Sequence, residues 1–127
     1  MIPQFRAWDK TENKMWNVET IYIEDEWVKV NDGSIYGITK DLVRDYVLMQ
    51  STGLKDKNGV EIYEGDIVHV NYKLSIVKYA KGSFYIEFID FPKIIMLSDF
   101  YFKSYTNDLI LKVQGNIYET PELLEDN

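Results

Sequence analysis

A chain of 127 residues without a cysteine has room for one domain with a real core, and it excludes disulfides, thiolate metal sites and cysteine nucleophiles. Its 14 basic and 21 acidic residues leave a formal charge of -7, a field that opposes generic binding to a phosphate backbone. No apolar run approaches the roughly 20 residues that span a bilayer and no export signal opens the chain, so a cytoplasmic protein with no membrane partner is expected.

In chain order, Phe5 to Trp8 predicts a first strand, and Asp9 to Lys14 a polar turn into a second around Met15 to Val18. Thr20 to Glu24 and Trp27 to Val30 read as further short strands, and Asn31-Asp32-Gly33 as a turn from which Ser34 to Ile38 returns. A short helix is expected from Thr39 through Asp45, capped by Thr39, with Leu42 and Tyr46 on one face.

Tyr46 to Tyr72 is the most legible stretch. Tyr46 to Gln50 is strand-forming, and Ser51-Thr52-Gly53 ends it with turn residues. Lys55-Asp56-Lys57-Asn58-Gly59 is a polar turn whose Asn-Gly pair tolerates positive φ. Glu61-Ile62-Tyr63 resumes an extended path, Glu64-Gly65-Asp66 turns again with Gly65 expected at positive φ, and Ile67 to Tyr72 reads as a strand.

Beyond it, Leu74 to Tyr79 and Ser83 to Ile89 are strands joined at Lys81-Gly82, with Phe84, Ile86 and Phe88 on one face. Asp90-Phe91-Pro92 stops the ladder, Lys93 to Leu97 predicts a strand, and Ser98-Asp99 opens a helical turn through Phe102. Asp108 to Gln114 alternates Leu109, Leu111 and Val113 with Ile110, Lys112 and Gln114, a strand pattern. Thr120-Pro121-Glu122 then opens a short terminal helix to Glu125, with Thr120 as its cap.

Chemistry is sparse in this pattern. His69, the one histidine, lies between Val68 and Val70 without a nucleophile or orienting partner at a recognisable spacing. Glu24-Asp25-Glu26 and Glu61, Glu64 and Asp66 lack the spacing of a calcium loop and read as solvated charge or turn caps. Gly53, Gly59 and Gly65 fit neither phosphate-binding fingerprint. Lys55 and Lys57 beside Tyr63 could carry a nucleic-acid backbone and a stacked base, but Asp56, Glu61, Glu64 and Asp66 interleave with them. No catalytic residue, metal ligand or cofactor is called for.

The run MQSTGLKDKNGVEIYEGDIV resembles the signature of the YopX family, small proteins encoded mainly by phages and prophages. Ile2-Pro3-Gln4-Phe5-Arg6-Ala7-Trp8 near the start, and Gly115-Asn116-Ile117-Tyr118-Glu119 with Thr120-Pro121-Glu122-Leu123-Leu124 near the end, match the same pattern, so the likeness runs the length of the chain. It implies a mostly β protein of a bacterial host's phage, and it carries over no catalytic residue. Together the readings give a single YopX-like domain over 1–127 that is mainly β: a small partly open SH3-like barrel or a bent antiparallel sheet with one or two short helices, α+β being the fallback.

The function expected is a non-catalytic accessory protein that binds itself as a homo-oligomer and a host or phage protein. The alternative is a nucleic-acid-binding module in phage DNA metabolism, which the net charge disfavours; a small carboxylate-based enzyme is a distant third. The residues of the candidate binding or structural motif are Gln50, Ser51, Thr52, Gly53, Lys55, Lys57, Tyr63, Gly65 and Asp66. Self-association is expected through open strand edges, at Phe5 to Trp8 or Asp108 to Gln114.

Overall fold

The computed structural model describes residues 4–90, 92–104 and 110–125. The chain is mainly β, with two antiparallel sheets, one short α-helix and no closed barrel among the described residues. It falls into two compact units, 1–51 and 52–127, divided inside a single strand.

The first unit is a meander of β1 (Phe5–Asp9), β2 (Lys14–Tyr22), β3 (Trp27–Asn31) and β4 (Ile38–Leu42), completed by the first half of β5 (Tyr46–Lys55). Along the sheet the order is β4-β3-β2-β1-β5. Ala7, Trp16, Val28, Val30 and Tyr46 form its buried cluster, with Val18, Ile21, Val43 and Leu48 packed on it. The core positions of β2 change parity, from Trp16 and Val18 to Ile21, because the register against β3 slips between Val18 and Thr20. Glu19 is the extra residue of a bulge, and one extra residue moves every later side chain to the other face. That slip explains why the pattern of 15–22 reads as two strands when it is one, β2 ending at Tyr22.

Two expectations for this unit are corrected. Ser34 to Ile38 is a loop up to residue 37, with the strand starting at Ile38. The helix expected from Thr39 is strand β4, in which Thr39 and Asp41 pair with Val30 and Val28, followed by one 3-10 turn at Val43–Asp45. A waiting sheet edge on β3 outweighs a weak local preference for helix, and β-branched Val43 adds little to that preference.

In the second unit β5 continues past Gly53, which takes φ +77 within the strand, so Ser51-Thr52-Gly53 bends β5 where the sequence predicted its end. β6 (Glu61–Tyr63) is its hydrogen-bonded neighbour. The five-stranded sheet has the order β10-β9-β8-β7-β11, built from β7 (Asp66–Val70), β8 (Lys73–Ala80), β9 (Ser83–Phe88), β10 (Ile94–Met96) and β11 (Leu111–Asn116). Helix α1 (Leu97–Ser104) follows β10 directly and inserts Leu97 and Phe100 among Ile62, Val68, Val70, Val77, Ile86, Phe88 and Leu111. Ile86 and Phe88 face this core with Phe84 packed against it, the shared face their alternation predicted. Leu109 and Asp108 of the last predicted strand lie outside the described residues, as does Phe91 of the predicted break.

Candidate binding site

The motif residues that stand out in the sequence turn out to be turn locks. Asp56 is buried; its Oδ1 accepts the N–H groups of Asn58 and Val60, both at 2.8 Å, and its Oδ2 that of Val113 at 2.9 Å. One carboxylate thereby closes its own turn and ties it to β11. Gly65 holds φ +88, and its carbonyl accepts the Ile117 N–H at 3.0 Å. Buried Asp66 accepts the Tyr63 N–H at 2.8 Å and stands opposite Asn116 in the ladder. Asn116 in turn gathers the N–H groups of Tyr118 and Glu119 on Oδ1. The middle and closing motifs are therefore two sides of one hydrogen-bonded joint.

The other motif residues serve the same end or face solvent. Buried Ser51 donates its N–H to Gln4, and half-buried Gln50 pairs with Phe5. Thr52 donates its hydroxyl to the Ile62 carbonyl at 2.8 Å, and Tyr63 donates its own to Glu61 at 2.9 Å. Gly53, Lys55 and Lys57 are exposed. Thr120 does not cap the terminal 3-10 turn at Pro121–Leu124; its Oγ accepts the Asn116 N–H and donates to the Asn116 carbonyl. A Cβ on Gly115 would collide with that hydroxyl, which requires glycine there. Among the described residues no three His, Asp or Glu gather as metal ligands.

Two surfaces that sequence reading passed over have a shape suited to contact. The first is the loop of residues 32–37 between β3 and β4. Asp32 accepts the Ser34 N–H and hydroxyl at 2.9 and 2.6 Å and pairs with Lys14 at 2.8 Å. The Lys14 ammonium, then the Ser34 hydroxyl and N–H, hold the Asp32 carboxyl well below the usual carboxylate range. Asp32 N–H to the Gly37 carbonyl, at 2.8 Å, closes the base of the loop, and Gly37 lies so near the Asp32 carboxylate that a Cβ has no room. On this fixed loop Ile35 and Tyr36 are 87% and 96% exposed, and Ile38 of the neighbouring edge strand is half exposed. Their signal in the sequence is the Asx turn at Asp32-Gly33-Ser34, which lifts the next two apolar residues out of any ladder.

The second surface is a cavity of about 160 Å³ at one end of the five-stranded sheet, lined by His69, Asn71, Tyr72, Ile110, Lys112 and Gln114. His69 and Lys112 are direct cross-strand partners on β7 and β11. The chain turns from β7 to β8 over two residues only, Asn71 at φ +48 and Tyr72 at φ +76. Asn71 secures the rim by exchanging backbone and side-chain hydrogen bonds with Ile110, Asn71 N–H to its carbonyl at 3.0 Å and Ile110 N–H to Asn71 Oδ1 at 2.7 Å. Ile67 to Tyr72 was expected to be continuous strand; the two-residue gap between alternating runs is the signal for the hairpin.

The sequence profile described as YopX protein matches residues 4–125. Among solved structures, the chain is similar to protein EF1440 from Enterococcus faecalis, at 35% sequence identity and a TM-score of 0.69, over 98% of this chain and 99% of that one. No curated protein matches.

Proposed function

Because the chain belongs to the YopX family, we propose that it is a non-catalytic accessory protein of a phage or prophage that works by binding protein: a second copy of itself, and through the same surface a host or phage protein. The observation that carries this reading is the loop of residues 32–37, where Ile35 and Tyr36 stand in water on a backbone held by Asp32, Ser34 and Gly37. Large apolar side chains on a rigid support bind with little loss of conformational freedom, and tyrosine is favoured at protein contacts for its area and its polar tip. Nothing inside the unit needs them: the core is complete without either.

Strand β1 is not the edge through which copies join, since it is paired on both sides, with β2 and with β5. The edge beside the loop is β4, a strand of five residues with Lys40 at its centre, a feature that discourages uncontrolled pairing. Contact is therefore expected at the loop tip. The test is light scattering at tens of micromolar, the range of contacts of this kind, on the wild type and on Ile35→Ser/Tyr36→Ser, together with affinity capture from the host. A wild-type oligomer or captured protein that the double variant loses supports the reading. A wild-type monomer that captures nothing, or a variant that behaves as the wild type, overturns it.

A further inference from the structure

We infer that the cavity between β7 and β11 is a nucleotide site, in which a phosphate sits on Lys112 and His69 and the base stacks on Tyr72. This site lies in the second unit and is independent of the loop of residues 32–37.

Charge is the first observation. In a chain where acidic residues outnumber basic ones 21 to 14, no carboxylate among the described residues lines this cavity, and its two nitrogen bases are neighbours across the ladder. Directly opposite side chains on an antiparallel pair have Cβ atoms about 5 Å apart, so one anion can meet both. Among the described residues Lys14, Lys29 and Lys78 are each held by a carboxylate, whereas the Lys112 ammonium and the His69 ring have no side-chain partner. A phosphate accepts hydrogen bonds from an ammonium and from an imidazole N–H, and an acidic protein concentrates anions only where its own carboxylates are absent.

Tyr72 is the second. The following position of a two-residue hairpin with both φ positive is the natural place for glycine, and Asn-Gly is the favoured pair. Here Asn71 is followed by tyrosine at φ +76, with the ring 97% exposed at the mouth of the cavity. A side chain that the turn disfavours and no core uses is kept for what it touches in a complex. A flat, exposed phenol ring at the mouth of a cavity that holds an ammonium and an imidazole is the arrangement that stacks a base and holds its phosphate. Ile110, 39% exposed, supplies an apolar wall, and the Gln114 amide, with donor and acceptor, matches the polar edge of a base.

The same chemistry is offered by a free mononucleotide and by one residue of a single strand. Thymidine and adenosine 5′-monophosphates, a thymidine decanucleotide and inorganic phosphate are titrated by NMR and fluorescence anisotropy at about 50 mM salt, where phosphate contacts are strongest. Saturable nucleotide binding is expected, weakening about threefold per phosphate contacted on raising the salt to about 200 mM. Tyr72→Gly restores the favoured turn residue, so the fold survives, and nucleotide affinity should fall roughly tenfold with phosphate binding unchanged. Lys112→Gln should weaken both. A decanucleotide bound far more tightly than the monophosphates identifies single strands as the source, and equal affinities identify free nucleotide. Absence of saturable binding by any nucleotide probe, or a Tyr72→Gly variant that binds nucleotide as the wild type does, overturns the assignment.

Discussion

The two units use the same device, a carboxylate that folds back on its own turn, to opposite ends. In the second unit Asp56 is buried and joins its turn to a strand more than fifty positions away, over a core with nine buried apolar residues among those described. In the first, Asp32 sits at the surface and engages Lys14 and Ser34, and the unit's cluster has five buried residues among those described. A lock inside the core holds a fold together, since losing it strands buried donors; a lock at the surface mainly fixes what the loop displays. The residues that look most distinctive in the sequence are of the first kind, and the exposed Ile35 and Tyr36 are held by the second.

The largest test of this contrast is Asp56→Ala. Three backbone donors lose a charged acceptor, and a loss of about 3 kcal/mol in unfolding free energy is expected by denaturant titration. All three tryptophans lie in the first unit, so fluorescence reads that unit while far-ultraviolet circular dichroism reads both. Because the division falls within β5, the two midpoints are expected to shift together, as a single domain requires; midpoints that separate would make the units independent.

Next in size is Gly65→Val. At φ +88 a β-branched side chain is strained, and the joint between the middle and closing motifs loosens, which should lower stability by about 2 kcal/mol; an unchanged melting temperature would show that the joint tolerates a different backbone.

Tyr46→Phe is smaller and depends on pH. Burial, and the hydrogen bond its hydroxyl donates to Asp41 at 2.6 Å, push the Tyr46 phenol above its ordinary range. With the folded value raised, its contribution is complete below the unfolded value of about 10 and is lost as pH rises through the folded one. Wild type should therefore lose stability above about pH 10 more steeply than Tyr46→Phe; parallel curves would count against the bond.

The smallest effect on folding is expected for Asp32→Ala. Its carboxyl is held low, so what it contributes persists above the unfolded value of about 4 and fades only as pH falls toward the folded one. Melting near neutral pH should move little, whereas association through Ile35 and Tyr36 should weaken; a large drop in melting temperature with association intact would reverse the contrast.

The sheet elements were legible wherever side-chain period and turn chemistry agree. Phe84, Ile86 and Phe88, the Asn58-Gly59 turn and the positive φ of Gly65 follow from local stereochemistry, and they were expected where they are found. What escaped depends on pairing across the chain. The bulge at Glu19 is dictated by β3, the strand at 38–42 by the free side of β3, and the continuation of β5 past Gly53 by β6. The cavity between β7 and β11 escaped for the same reason. Tyr72 and Lys112 are brought to one cavity by the β7–β11 register, and a single sequence carries no mark of that pairing.

The position of β5 in the first sheet also bears on how the protein is made. Strand β1 leaves the ribosome early, yet Phe5 to Asp9 pair on one side with Tyr46 to Gln50. At about 5 to 20 residues per second, the nascent segment waits about 2 to 8 s with that side unpaired. During this interval it offers donors and acceptors to any extended chain nearby, the hazard that edge strands carry. A translational pause after β1 has emerged from the ribosome and before Tyr46 to Gln50 have emerged should raise the yield of aggregate, and a pause after both are out should leave it unchanged.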